Sequence, residues 1–307
     1  MSALLPALLH GVLVLVLPVL LVGVVNRTKA RWAGRQGPAL LQSGWDLWRL
    51  LRKQPVYSTV VTPLFRAGAY GVLLAALLGA LVAPLLGAYA PLQFAHDFVL
   101  FAYTMGLSRL FLMLSAMEVG SAFEGMGAAR EASFAAYSEP ALFLLLGSLG
   151  IATGQTSFAS LVGQFQTSPV FPWLVVPVIG VLFILLQSEA SRVPVDDPLT
   201  HLELTMVHEV MVLDHSGPEL AALQYAGALK LCTYAGLIAA LLSPLAPLEQ
   251  PFAAALATLL LTVLVAVAVG CVESLMARLR MRQVPRYLLL ASLLACLCLA
   301  GASAWSR

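Results

Sequence analysis

Eight segments of about 20 mostly apolar residues occupy most of this 307-residue chain. Each is long enough to cross the hydrocarbon core of a bilayer as an α-helix, which satisfies its own backbone hydrogen bonds. Only 10% of the residues are charged, against about 25% in soluble domains. The sequence therefore predicts an all-α polytopic membrane protein, with residues 1–307 as a single integral membrane domain. The approximate spans are 3–25, 64–89, 98–123, 140–162, 171–190, 220–243, 251–275 and 287–305.

Two simple alternatives fit the composition poorly. The first apolar run is longer than the ~7–15 residues of a signal-peptide core, and no basic stretch precedes it, so we interpret it as a span. The net charge of +2 gives no support for nucleic-acid binding. The cysteines lack Cys-x-x-Cys spacing, and we expect no metal or iron–sulfur cluster on this chain. They are Cys232, Cys271, Cys296 and Cys298.

Basic residues alternate between the connections of the predicted spans. The four odd-numbered connections contain Lys or Arg, and the even-numbered ones contain neither. The positive-inside rule places the odd-numbered connections in the cytoplasm and both termini outside. These predicted cytoplasmic connections are 26–63, 124–139, 191–219 and 276–286.

Several ionisable residues lie within or at the ends of predicted spans. Glu118 is in span three, Glu139 precedes Pro140 at the start of span four, Glu189 ends span five, and Lys230 is about ten residues into span six. A charge inside a span costs at least ~2.5–3.5 kcal/mol, so such residues usually face a partner or a wet cavity. We predict that role for Glu118 and Lys230. For Glu189, extension to the headgroups remains the alternative.

The segment from Asp197-Pro198 to Gly217-Pro218 has the signals of an amphipathic helix of ~15 residues at the membrane surface. Glu203 falls on its apolar face, with Asp214 beside that face. A carboxylate in such a position is either paired or held at a raised pKa, as a proton-transfer group requires.

The histidines of that segment do not match a metal site. His208-Glu209 begins a zinc-protease pattern, but the required second histidine is replaced by Val212. His201 and His208 are two helical turns apart, too far to share an ion without other ligands. We expect this polar face to contact a partner protein.

The first connection begins with turn residues and continues with a short amphipathic pattern. Residues 31–54 read RWAGRQGPALLQSGWDLWRLLRKQ, with Gly37-Pro38 in the turn and helical spacing over 45–52. Tryptophan and arginine suit a helix that binds lipid headgroups, but also a surface that docks a soluble partner. The composition does not decide between these two interpretations.

Three motifs together resemble a known family. They are GRQGPALLQ with DLWRLLRK, then FEGMGAAREASFAAYSEP, then SEASRVPVDDPLTHLELTMVHEVMVLDHSG. They resemble the eight-span subunit 1 family of respiratory complex I. The greatest similarity is to its hydrogenase relatives, the membrane subunits of formate hydrogenlyase, hydrogenase-4 and other group 4 membrane-bound [NiFe] hydrogenases. The similarity covers nearly the whole chain.

The resemblance implies a role in a larger complex of a bacterial or archaeal cytoplasmic membrane. The chain would dock hydrogenase-type large and small subunits on the cytoplasmic side, which would hold the [NiFe] centre and [4Fe–4S] clusters, and would contact antiporter-like membrane subunits. In complex I, the corresponding cavity holds quinone and a series of buried carboxylates leads into the membrane. Here Leu199, Thr200 and His201 replace a more acidic run, which favours the hydrogenase branch over a quinone site.

We therefore predict a non-catalytic subunit that couples electron transfer in its partners to proton or sodium translocation. A quinone-binding subunit of an NADH dehydrogenase and a stand-alone ion transporter remain the alternatives. The proton-pathway candidates are Glu118, Glu139, Glu189, Glu203, Asp214 and Lys230. The arm-docking and cavity candidates are Arg31, Arg35, Gly37, Pro38, Asp46, Arg130, Arg192, Asp196, His201 and His208.

Overall fold

The computed structural model describes residues 4–197 and 206–305, and every regular element within these ranges is an α-helix. Eight of the helices are long and apolar enough to cross a membrane, which confirms the predicted fold class and span count. They are α1 (Leu4–Trp32), α3 (Pro63–Val82), α4 (Asp97–Glu118), α5 (Ala122–Thr153), α7 (Phe171–Glu189), α9 (Gly217–Leu242), α10 (Pro251–Leu275) and α11 (Val284–Trp305). The shorter helices are α2 (Gln42–Leu51), α6 (Phe158–Thr167) and α8 (His208–Met211).

Several predicted span boundaries differ from the observed helix ends, and two of the differences have clear local reasons. Span two ends at Val82 instead of 89, because Ala83 precedes a proline and takes an extended conformation. The predicted connection 124–139 is instead the first half of α5, which continues through Pro140. Its sequence is rich in alanine and other good helix formers, so the helix does not need to end where the lipid-like run begins.

The predicted surface helix between Pro198 and Gly217 is not observed as such. Residues 198–205, which include His201 and Glu203, lie outside the described residues. In the rest of the segment the helix is only α8, whose Val210 and Met211 are buried. Gly217 does not stop a helix but starts α9, with φ of +56° and Pro218 in the first turn.

Helix α9 lies at the centre of the bundle. In the most apolar 18-residue stretch of α9, 83% of the residues are buried, against 28% in the corresponding stretch of α11. It contacts α1, α3, α7 and α10 among the long helices. Most side chains on α9, including that of Lys230, are therefore inside the protein rather than in lipid.

The first connection folds back along α1 and positions α2. A Cβ at Gly23 would lie 1.9 Å from the carbonyl oxygen of Leu40, and one at Gly37 would lie 2.9 Å from the Cα of Arg27. These close approaches require glycine. Ser43 then donates a hydrogen bond to the carbonyl of Val19 at 2.9 Å, so that α2 packs beside α1. The predicted helix in this connection is confirmed.

Candidate functional site

A fully enclosed arginine on α4 brings three carboxylates together. The side chain of Arg109 is 3% exposed. Its Nε lies 3.1 Å from Oε1 of Glu131, its Nη1 donates to Oε1 of Glu139 at 3.3 Å, and its Nη2 donates to Oε1 of Glu189. The first two carboxylates are on α5 and the third ends α7. Three helices therefore converge on one guanidinium.

Helix α9 adds a second cation to this group. The buried Lys230 places Nζ 3.7 Å from Oε2 of Glu189. We call Arg109, Glu131, Glu139, Glu189 and Lys230 the Arg109 cluster. Among the described residues its two cations face three carboxylates, so that full ionisation leaves one excess negative charge. Because buried charge is costly, each carboxylate of the cluster depends on these two cations for compensation.

The carboxylates of the cluster form a gradient of exposure. The exposed fractions of the Glu189, Glu131 and Glu139 side chains are 4%, 15% and 46%. Gly106 on α4 lies beside the exposed end, where a Cβ would be in ordinary contact with Oε1 of Glu139 at 3.4 Å. The cluster thus extends from the centre of the bundle to the surface of the chain.

A cavity of about 230 Å³ lies between α1, α2, α8 and α9, next to the chain that follows α7. Its lining includes Asp46, Arg192 and His208, three of the predicted cavity residues. Burial lowers the pKa of His208 to about 4, and the charges of Lys230 and Arg192 act in the same direction. His208 is therefore neutral at neutral pH, and its electrostatic contact with Lys230 links the cavity to the Arg109 cluster.

A second enclosed ion pair supports the cavity wall. The side chain of Glu273 has no exposed surface and lies 2.8 Å from Nζ of Lys29 and 3.6 Å from Nη1 of Arg192. Asp196 pairs with Arg278 at 2.7 Å and accepts a hydrogen bond from the backbone N–H of His208 at 2.9 Å. These contacts fix the segment after α7 and the start of α8.

A family model described as NADH dehydrogenase matches residues 5–301 of the chain. The chain belongs to the NADH dehydrogenase family. This membership confirms the resemblance that the sequence motifs indicated.

Two curated relatives and one solved structure are similar to this NADH dehydrogenase family member over most of its length. Hydrogenase-4 component C of Escherichia coli (strain K12) is 28% identical over 255 residues, covering 82% of this chain and 79% of the relative. Formate hydrogenlyase subunit 4 of the same strain is 28% identical over 297 residues, covering 93% and 94%. A chain of the membrane-bound sulfane sulfur reductase, an archaeal respiratory membrane complex, superposes with a TM-score of 0.82 at 19% identity, covering 96% of this chain and 98% of that chain. The structural match supports the multi-pass membrane fold.

The remaining predicted site residues of this family member lie apart from the Arg109 cluster. Glu118 is the last residue of α4, where its carboxylate accepts a hydrogen bond from the backbone N–H of Thr62 at 3.1 Å. Its predicted interior role stays a prediction. Asp214 is exposed near the start of α9. Arg130 donates to the carbonyl of Met206 at 2.8 Å and so holds the chain that leads into α8.

The docking candidates of the first connection lie on the surface. Arg31, Arg35 and Pro38 are exposed, and Gly37 packs against α1. No group of three His, Cys, Asp or Glu side chains within residues 4–197 and 206–305 is arranged to hold a metal ion. Where the clusters of the complex reside stays a prediction.

Sequence reasoning missed the central residue of the site. Arg109 lies in the middle of an apolar span, where an unpaired arginine would be very costly, and that cost alone was a sufficient signal. Tyr234 was missed as well. It is fully buried one turn after Lys230, and its hydroxyl has no hydrogen-bond partner among the described residues.

Proposed function

We propose that this chain, a membrane subunit of a respiratory-type complex, anchors a hydrophilic hydrogenase arm and couples its electron transfer to proton or sodium translocation. The arm consists of a large subunit with the [NiFe] centre and a small subunit with [4Fe–4S] clusters. This chain does not carry out the redox chemistry. The relatives named for hydrogenase-4 and formate hydrogenlyase support the hydrogenase assignment.

The observation that carries the proposal is the Arg109 cluster. A membrane anchor without a coupling role has no need for four enclosed charged groups, because each costs several kcal/mol to desolvate. Among the described residues the cluster holds one carboxylate more than it has cations, so its proton occupancy responds to nearby charge. A charge change in the docked arm alters the electrostatic attraction between Lys230 and Glu189, whose charged atoms are 3.7 Å apart. The proton affinity of the remaining carboxylates then changes.

The cavity and the Arg109 cluster together form a series of charged groups, and its two ends fit two different partners. The end near the cavity contains Arg192 and His208 and lies with the basic first connection, on the predicted cytoplasmic side where the arm docks. At the other end, the Glu139 side chain is 46% exposed within the long helix α5. A carboxylate that faces lipid is strongly unfavourable, so we assign this surface to a neighbouring antiporter-like membrane subunit.

Quinone binding is the second candidate, and the cavity near His208 is the observation in its favour. Its volume of about 230 Å³ is below the ~300–1,000 Å³ of most small-molecule sites. Inhibition of the purified complex by quinone analogues would support this candidate over the hydrogenase assignment.

The experiment is carboxylate neutralisation in the intact complex. We expect Glu189→Gln and Glu139→Gln to leave assembly and hydrogenase activity with a soluble electron carrier intact, but to abolish turnover-driven ion movement in vesicles. Glu249→Gln is the matched control, because Glu249 is exposed and distant from the cluster in sequence and fold. Full coupled activity in both cluster variants would overturn the proposal.

A further inference from the structure

A groove with a charged rim and an apolar floor lies between α1 and α10, outside the site described above. Its volume is about 340 Å³. Two arginines form its rim and half-buried aliphatic side chains form its floor. The lining includes Arg27 and Arg31, together with Val24, Leu40, Val263 and Val267.

The two arginines have no acidic partner in the part of the chain that the structure describes. Arg27 and Arg31 are one turn apart on α1, so they project from the same face of the helix. Both are exposed, and neither forms an ion pair with a described acidic side chain. Lys29, between them, is paired with the enclosed Glu273 at 2.8 Å. The helix thus satisfies one cation internally and presents two others together at the groove.

The charged rim and the apolar floor lie at different depths of the span. Trp32 at the end of α1 donates a hydrogen bond to Cys271, close to the end of α10 at Leu275, so the two helices end on the same side. Val263 and Val267 come earlier on α10 and therefore lie deeper. The groove has cations where phosphate groups of a lipid lie and aliphatic walls where its acyl chains lie.

The third wall of the groove is fixed by the fold. Leu40 belongs to the first connection, whose carbonyl at this residue packs against Gly23 of α1. The same connection crosses the backbone of Arg27 at Gly37, where a Cβ would lie 2.9 Å from the arginine Cα. These glycines hold Leu40 over the groove, so the groove is enclosed by three segments.

We propose that this groove binds one anionic phospholipid, with its phosphate between Arg27 and Arg31 and an acyl chain against Val24, Val263 and Val267. Guanidinium groups bind phosphate oxygens in a bidentate manner, and basic pockets between membrane helices select anionic headgroups. A soluble acidic protein would satisfy the arginines but would leave the aliphatic floor uncovered. This inference requires the membrane fold but not the proposed coupling function.

The test is native mass spectrometry of the full-length chain, purified in a mild non-ionic detergent and titrated with phosphatidylglycerol. Each arginine near a phosphate contributes about a fivefold factor, so we expect Arg27→Gln with Arg31→Gln to weaken binding about 25-fold. The control is Arg280→Gln with Arg282→Gln, which removes two exposed arginines outside the groove and is expected to change the Kd less than about twofold.

A second variant and two competitors complete the test. Val267→Trp fills the floor but keeps both arginines, and we expect it to weaken phosphatidylglycerol binding as well. Phosphatidylcholine should bind much more weakly, and inorganic phosphate should not displace the bound lipid. Unchanged binding in the double arginine variant or in Val267→Trp, equal binding of phosphatidylcholine, or displacement by inorganic phosphate would each overturn the proposal.

Discussion

Replacing Arg109 by glutamine removes the cation on which the buried site is built. Its guanidinium is 3.1 Å from the Glu131 carboxylate and 3.3 Å from that of Glu139, and it also pairs with Glu189. After the substitution these three carboxylates retain only Lys230, which lies 3.7 Å from Glu189. The remaining group is strongly negative in a region of low dielectric constant.

The expected loss follows from these distances. At an effective dielectric constant of about 20, each of the two measured pairs contributes roughly 5 kcal/mol of gross attraction. Desolvation of the guanidinium and proton uptake by the carboxylates offset much of this sum. Breaking a buried ion pair by removing one partner typically costs about 3–5 kcal/mol. We therefore expect Arg109→Gln to lower the free energy of unfolding by that amount, and Arg109→Lys to lower it by less.

The measurement is the free energy of unfolding in mixed micelles, combined with infrared spectroscopy of carboxyl protonation. Arg109→Gln should produce a new band from protonated carboxyl groups, since these groups can no longer stay ionised together. Arg280→Gln is the control, because this exposed arginine has no ion-pair partner in the described ranges, and it should change stability by less than about 0.5 kcal/mol. Unchanged stability in Arg109→Gln with no new carboxyl band would refute the reasoning.

Three further predictions concern the surroundings of the site. Gly23→Ala should lower the free energy of unfolding by about 1–3 kcal/mol, because the added Cβ would lie 1.9 Å from a backbone oxygen. Gly11→Ala is the control, since a Cβ there meets nothing within 4 Å, and it should be neutral or stabilising in thermal unfolding. Because the folded-state pKa of His208 is about 4, below its usual 6.5, the unfolded chain binds more protons between these values. The contribution of the neutral His208 to the free energy of unfolding should thus be fully present above pH 6.5 and be lost as the pH drops toward 4. His208→Asn should flatten this pH dependence in unfolding titrations. Glu273→Gln should cost about 3–5 kcal/mol, because it leaves the buried Arg192 and the half-buried Lys29 without their shared carboxylate. Adding Lys29→Met should restore part of that loss in a double-mutant cycle.

The spans could be predicted from the sequence because the length of an apolar run is a one-dimensional property. The span boundaries were harder to predict, because α5 extends far beyond its apolar part and only the helix propensity of its residues indicates this. The segment before α9 failed for another reason. A pattern of apolar residues at helical spacing fits a surface helix, but it also fits a turn-rich segment whose Val210 and Met211 pack into the core.

The site was predicted only in part. Glu139, Glu189 and Lys230 were found because an ionisable residue in or beside a span needs a partner. The partner that unites them is Arg109, and their meeting depends on how α4, α5, α7 and α9 pack, which no local pattern reveals. Glu118 met the same sequence criterion but lies at the last residue of α4, apart from the cluster. A span boundary predicted to within a few residues cannot distinguish such a position from an interior one.

The most direct test of the account is a mild-detergent pull-down of the tagged chain from its native membrane, with mass spectrometry and a hydrogen-uptake assay on the eluate. We predict that hydrogenase-type large and small subunits and antiporter-like membrane subunits co-purify with hydrogen-uptake activity. Recovery of NADH-oxidising subunits instead, or of the chain alone from membranes in which it is abundant, would contradict its role as the coupling subunit of a membrane-bound hydrogenase.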